Sequence, residues 1–226
     1  MSLCQSERNN LTGGYGMKKG LILYEDFGGE RLNDKLEWRC EPKKWEISSS
    51  KLVLETDERT DYWQRTHYGF QADNGHFLYA KTIKNFRMTT KVEASPSSRY
   101  DQAGLMIRLS EDTWVKTSLE YIPDGLSKLG AVVTNRGYSD WSTQYVDCNN
   151  VQIYYRISKI EQNCYVDFSW DGEVWNQIRI AHLHISKNAM IQAGVYACSP
   201  QGKEQVVRFD YLTIEELGND PKEAYL

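Results

Sequence analysis

An indole, an amine and a carboxyl group recur at even spacing in the segment 114–120, WVKTSLE: Trp114, Lys116 and Glu120, with Ser118 between them. A strand sends residues i, i+2 and i+4 to one face. These four would therefore share a surface that suits a polar ligand. With a second acid, the same surface would suit hydrolysis of a glycosidic bond, which needs two carboxyl groups roughly 5 to 10 Å apart. Glu120 is the best-placed acid, and Asp140 or Asp101 would have to approach it from a loop. Lys116 and Glu120 lie about 13 Å apart along a strand. Each must then meet a neighbouring strand or a ligand rather than the other. The competing reading makes Glu120 one member of an ion-pair layer with Arg108, Lys116 or Arg156, an arrangement common without catalysis.

Trp114 and Trp141 offer flat apolar surfaces of the kind sugar rings stack on, although core or rim packing would use the same rings. The run Ser139-Asp140-Trp141-Ser142 combines hydroxyl, carboxylate and indole, a set that suits a polyol. The two serines could equally cap turns. His182 and His184 share a strand face, but no third metal ligand accompanies them. Asp167, Asp171 and Glu173 do not form a calcium loop, which needs six to eight oxygens. No phosphate loop, GxSxG elbow or HExxH helix occurs. The expectation is no cofactor and no metal.

The elements that must position these residues read as strands. Ala103, Leu105, Ile107 and Leu109 alternate with Gln102, Gly104, Met106 and Arg108. Val115, Thr117, Leu119 and Tyr121 alternate with the chemical face of the next run. The same period of two appears in 21–27, 46–55, 85–94, 129–134, 151–157, 164–170, 174–180, 189–198 and 205–214. In 151–157 it sets Arg156 beside Gln152 and Tyr154. The segment 59–69, RTDYWQRTHYG, mixes charges and rings and reads as a loop or irregular strand. The segment 135–142 reads as a polar-aromatic loop. About a dozen short strands without a long amphipathic helix imply a sandwich or barrel. If Ser110 pairs with Trp114, Arg108 falls opposite Lys116 and Gly104 opposite Glu120. Arg108, Trp114, Lys116 and Glu120 would then line one pocket, completed by Asp140 and Trp141.

The chain of 226 residues suits one domain. Residues 1–16 read as a disordered arm, 17–215 as the sandwich and 216–226 as a polar tail, with Met17 an alternative start. A net charge of −4 argues against a general nucleic-acid or membrane surface. Five cysteines, at 4, 40, 148, 164 and 198, are odd in number and too widely spaced to indicate a disulfide framework or zinc cluster. No apolar run is long enough for a signal segment or a span. These features lead to the expectation of a reducing, cytoplasmic setting.

Five segments in this order carry a resemblance: YDQAGLMIR at 100–108, WVKTSLE at 114–120, VVT at 132–134, SDWS at 139–142 and ACSP at 197–200. Over roughly residues 20–212 the chain resembles an uncharacterised domain family of bacteria and fungi in the concanavalin A-like lectin/glucanase superfamily. Bacterial glycan-associated proteins and a fungal regulatory protein of carbon metabolism look similar. The resemblance implies an all-β fold, a concanavalin A-like jelly-roll sandwich of two large antiparallel sheets, often with ligands on its concave face. The positions that match are Asp101, Gln102, Arg108, Trp114, Lys116, Glu120, Thr134, Ser139, Asp140, Trp141 and Ser142. Sandwich glycosidases of the superfamily often carry a close acidic trio on one strand. Here Glu120 is followed by Tyr121-Ile122-Pro123 before Asp124, and Pro123 breaks the strand. The function expected is therefore a non-catalytic binding domain for a carbohydrate or related polar metabolite. The alternatives are a glycan hydrolase or lyase using Glu120 with a second acid, and a protein-interaction domain.

Overall fold

The alternating apolar and polar segments form strands. The computed structural model describes residues 20–147 and 151–226. The expected arm at 1–16, together with Met17, Cys4 and Cys148, lies outside the described residues. Among the described residues there are seventeen strands: β1 Leu21–Glu25, β2 Glu37–Arg39, β3 Lys44–Ile47, β4 Leu52–Glu55, β5 Tyr62–Gln64, β6 Gln71–Asp73, β7 His76–Thr82, β8 Phe86–Ser95 and β9 Gln102–Ser110. They continue as β10 Thr113–Glu120, β11 Ser127–Asn135, β12 Tyr138–Val146, β13 Val151–Ile160, β14 Asn163–Ser169, β15 Asn176–His182, β16 Ile191–Cys198 and β17 Val206–Glu216. A short 3-10 turn, Pro221–Tyr225, follows and is capped by the Asp220 side chain.

Two antiparallel sheets form the sandwich. One runs β15-β14-β13-β8-β17-β4-β3, with β1 also paired to β17. A bulge between Phe209 and Leu212 divides β17. Its first part pairs with β4 and its second with β1, both on the side away from β8. The other sheet runs β12-β11-β10-β9-β16-β7-β2. Between the sheets lies one large core, including Leu105, Ile107, Val115 and Leu119 from the central pair and Met88, Val92, Ile157 and Phe209 from the facing sheet. This is the aligned packing that alternating strands produce when each sheet buries one face.

The two sheets differ in their outer faces. Strand β8 alternates buried and half-buried residues, as expected of a sheet with one wet side. Strands β9, β10 and β11 are buried on both faces for most of their length. The cause is the two-stranded hairpin β5–β6, which lies against the outer face of the seven-stranded sheet. Tyr62 and Trp63 from that hairpin form a second apolar cluster with Phe77, Met106, Trp114 and Tyr196.

The runs 103–109 and 113–120 are adjacent, as the alternation predicts, but their register differs from the expected one. A bulge next to the turn pairs Thr113 with Ser110 and Trp114 with Arg108. Lys116 therefore faces Met106, Ser118 faces Gly104 and Glu120 faces Gln102. The difference is two residues, so every side chain keeps its expected face. Leu109 is displaced at the bulge and stands 37% exposed. The segment 135–142 is not a loop. It turns at Arg136 and Gly137, both with positive φ, and continues as β12. Two such residues make the tight hairpin turn whose twist matches the strands. Arginine is an unusual residue for that conformation, which hides the turn.

Gly104 sits where the backbones of β9 and β10 approach closely. A Cβ built there would lie 2.0 Å from the Thr117 carbonyl oxygen, an immovable neighbour. Gly104→Ala is expected to lower stability by about 1–3 kcal/mol or more through forced strand displacement. Gly125→Ala, whose added Cβ would meet Ile122 at 3.7 Å, is expected to stay near wild type. Denaturant unfolding of both variants measures the contrast, and equal stabilities would contradict the packing described.

Candidate functional site

The polar face of β10 is formed by the sequence pattern Trp114-x-Lys116-x-Ser118-x-Glu120, but only its last residue reaches open space. Trp114 is fully buried, and its indole Nε1 donates to the Glu111 carbonyl at 3.0 Å. Lys116 is 2% exposed. Its ammonium donates to Gln102 Oε1 at 2.8 Å and lies 3.6 Å from Asp61 Oδ1. The rings of Trp114 and Tyr196 flank it with centres 5.8 and 5.6 Å away. Tyr196 also donates its hydroxyl to Gln102 Oε1 at 3.1 Å. The amide thus accepts from two buried donors, and a carboxylate supplied by the hairpin segment balances the lysine.

Beside this cluster opens a cavity of about 570 Å³, within the range of small-molecule sites. Glu120, Gln102 and Asp61 provide its polar lining, and Arg59 and Gln201 complete it. Its apolar wall is aromatic. Trp63 stands edge-on to Tyr68 at 5.4 Å and to Trp141 at 6.3 Å, with Phe70 at 6.5 Å. Tyr100 also lines the space. Tyr68 and Phe70 are 55% and 45% exposed, so two rings of this wall face solvent.

The hairpin that carries most of this wall is held by polar contacts. The Gln64 amide donates to Ser139 Oγ at 2.9 Å, and Ser139 Oγ bonds Thr134 Oγ1 at 2.7 Å. Arg65 donates to the Gly137 carbonyl at 2.9 Å. Arg108 grips Asp73 with Nε at 3.2 Å and Nη2 at 2.7 Å. Asp101 is buried and fastens the loop before β9. It accepts from the Ser97 and Ser98 amides, both at 2.8 Å, and from the Ser199 hydroxyl.

Of the residues singled out from sequence, Gln102, Glu120 and Trp141 line the cavity. Trp114, Lys116, Arg108, Thr134, Ser139 and Asp101 lie behind it or fasten its walls. Two residues are elsewhere. Asp140 pairs with Val133 in the ladder and so takes the face opposite Trp141. It is 73% exposed at its side chain and bonds Arg179 at 2.9 Å. Arg156 belongs to the other sheet, where it donates to Asp167 at 2.9 Å and stacks over Trp175 at 4.4 Å. The pocket drawn from Arg108, Trp114, Lys116, Glu120, Asp140 and Trp141 does not form as one space. The residues that sequence reasoning missed are Arg59, Asp61, Trp63, Tyr68 and Phe70. Their signal was the density of rings and charges in 59–70, which carries no strand period.

Glu120 is half-buried, and its carboxyl group has no hydrogen-bond partner among the described residues. Burial pushes its pKa up from 4.5 to about 7; Lys116 and Lys128 oppose the rise and Asp61 adds to it. Free carboxyl oxygens in a largely desolvated niche can offer a proton or accept one.

Because the folded pKa is raised, the folded state holds its proton while the unfolded chain loses it. Stability is then fully present below about pH 4.5 and falls as pH rises through 7. Glu120→Gln removes this loss. At pH 8 the variant should be more stable than wild type by about 1–3 kcal/mol, and at pH 4 the two should match. Thermal unfolding at both pH values checks this, and a pH-independent difference would contradict it.

Comparisons with known proteins agree with this architecture. Residues 38–217 match the family model described as Protein of unknown function (DUF1349). A Saccharomyces cerevisiae (strain ATCC 204508 / S288c) protein named Regulation of enolase protein 1 is 37% identical over 164 residues, which is 73% of this chain and 81% of that one. The crystal structure of a functionally unknown S. cerevisiae protein is similar with a TM-score of 0.74 and 36% identity, covering 81% of this chain and 98% of that chain. A xylan β-1,4-xylosidase from Bacillus halodurans C-125 has a TM-score of 0.67 at 16% identity, covering 85% of this chain and 39% of that one. At that identity the likeness concerns the two-sheet β-sandwich fold alone. With the family model matched across both sheets, the chain belongs to the DUF1349 family.

Proposed function

We propose that the chain is a non-catalytic binding domain for a carbohydrate or related polar metabolite, with a regulatory role in carbon metabolism. The observation that carries the reading is the cavity itself: an aromatic wall facing Glu120, Gln102 and Asp61. Rings of sugar present apolar C–H faces and a rim of hydroxyls, and an indole or phenol wall with a few polar groups complements both. The name Regulation of enolase protein 1, carried by a 37%-identical relative, supports the regulatory part. A cytoplasmic setting accords with the unpaired thiols of Cys40, Cys164 and Cys198.

One observation favours a second reading. Glu120, with a pKa of about 7, shares the cavity with a second carboxyl group, Asp61. That is the composition of a glycan hydrolase site. A protein partner would instead use the exposed rings of Tyr68 and Phe70.

Calorimetric titration with a panel of monosaccharides and oligosaccharides tests the binding reading. The double variant Tyr68→Ala/Phe70→Ala should bind about tenfold more weakly, since each ring contributes roughly 0.5–1.5 kcal/mol. Its folding should be unimpaired, because both rings are exposed. Unchanged affinity would place the ligand elsewhere. Product formation that vanishes in Glu120→Gln while affinity holds would put the hydrolase reading first.

A further inference from the structure

The charges around the cavity do not balance, and the imbalance carries a ligand preference. Lys116, Arg108, Arg39 and Arg65 each have a carboxylate or carbonyl partner. Lys116 has Asp61, while Arg108 and Arg39 share Asp73. Arg65 has Asp112 and the Gly137 carbonyl. Arg59 differs. Arg59 lines the cavity at an exposed position, and its guanidinium has no ion pair or hydrogen bond among the described residues. Its backbone is nevertheless fixed. The Arg59 carbonyl accepts from Asn74 Nδ2 at 3.0 Å, and Glu58 forms a bridge to Ser199. Lys128 is a second cation near the cavity, and its charge acts on Glu120. It stands opposite Glu120 in the ladder, 4.7 Å from the centre of the Trp141 ring.

The anionic side of the lining is largely spent. Asp61 Oδ1 accepts from the Tyr62 amide at 2.7 Å and faces Lys116 at 3.6 Å. Glu120 retains its proton close to neutral pH. The charge left for a ligand to meet is therefore positive, and it is a guanidinium fork of the geometry that matches a carboxylate.

We infer that the cavity selects a carbohydrate that carries a carboxylate, with its ring on the aromatic wall and its carboxylate on Arg59. The inference rests on the carbohydrate-binding reading and narrows it to acidic sugars. The ring contacts are those any sugar would make. The ion pair to Arg59 is what a neutral sugar lacks.

Calorimetry at pH 6.5 with matched pairs tests the assignment: D-glucuronate against D-glucose, D-galacturonate against D-galactose, and D-glucose 6-phosphate as a different anion. At least one uronate should bind about tenfold more tightly than its neutral partner, the equivalent of about 1.4 kcal/mol. Arg59→Ala should erase that preference while leaving the weak affinity for the neutral sugar. Its unfolding temperature should be unchanged, because the side chain has no bond to lose among the described residues. Arg59→Lys should keep part of the preference. Equal affinity for uronate and neutral sugar overturns the acidic-sugar assignment and leaves the carbohydrate reading standing. Preference for the phosphate ester overturns the carboxylate in favour of a phosphate. Absence of binding by every sugar to the folded protein overturns both readings. A preference that survives Arg59→Ala removes Arg59 from the recognition.

Discussion

A buried ammonium group holds this site together. Lys116 projects from the outer face of a sheet, where a lysine would normally extend into water. Here the β5–β6 hairpin covers it, and the charge must be met inside the protein. Gln102, the rings of Trp114 and Tyr196, and Asp61 meet it. A buried ion pair of this kind is a weak source of net stability, yet breaking it by removing one partner is costly. Its effect is positional. Asp61 immediately precedes Tyr62 and Trp63, so the carboxylate that answers Lys116 also sets the hairpin's rings against the sheet. The cavity is bounded on one side by those rings and on the other by the strand that bears the lysine.

The same cover explains why one sheet has two cores. Sandwich strands ordinarily keep one face dry and one wet. In β9 to β11 both faces are dry, and Met106 and Val132, with Cys198 of β16, pack outward against Tyr62, Trp63 and their neighbours. Several polar residues beneath the cover are paired: Ser139 with Thr134, Arg108 with Asp73, Gln102 with Lys116. Glu120 lies at the margin of the cover and keeps free oxygens. Margins of this kind, dry on one side and open on the other, are where a half-buried acid acquires an unusual proton affinity.

The fold was legible because its signal is local. Ala103 to Ile107 and Val115 to Leu119 alternate strictly, and a period of two specifies both strand and face. The two-residue difference in register left the faces untouched, since the bulge at Leu109 is invisible to alternation. The site was legible only in part, because it is assembled from distant segments. Glu120 and Trp141 announced themselves by type. Asp140 was assigned to a loop beside Trp141, and only the strand β12, turned at Arg136-Gly137, sends the two to opposite faces. Arg156 has the same alternation as the residues of the seven-stranded sheet, and nothing local tells which sheet a strand joins. The hairpin's ring-rich segment breaks every period, and its meaning appears only when it lies across the sheet.

Strand β17 has a consequence of a mechanical kind. It runs antiparallel to β1, with Leu21 opposite Glu215 and Glu25 opposite Leu212. The backbone at residue 20 and at residue 216 thus leaves the sheet from the same end of the pair. A tensile load drawn between those two points acts across the ladder rather than along it. It meets the hydrogen bonds one after another, like a zipper, instead of all together in shear. Such a pair yields at low force while β17 remains clamped by β8 on its other side. Under tension a sandwich stitched this way begins to open at the seam between β1 and β17.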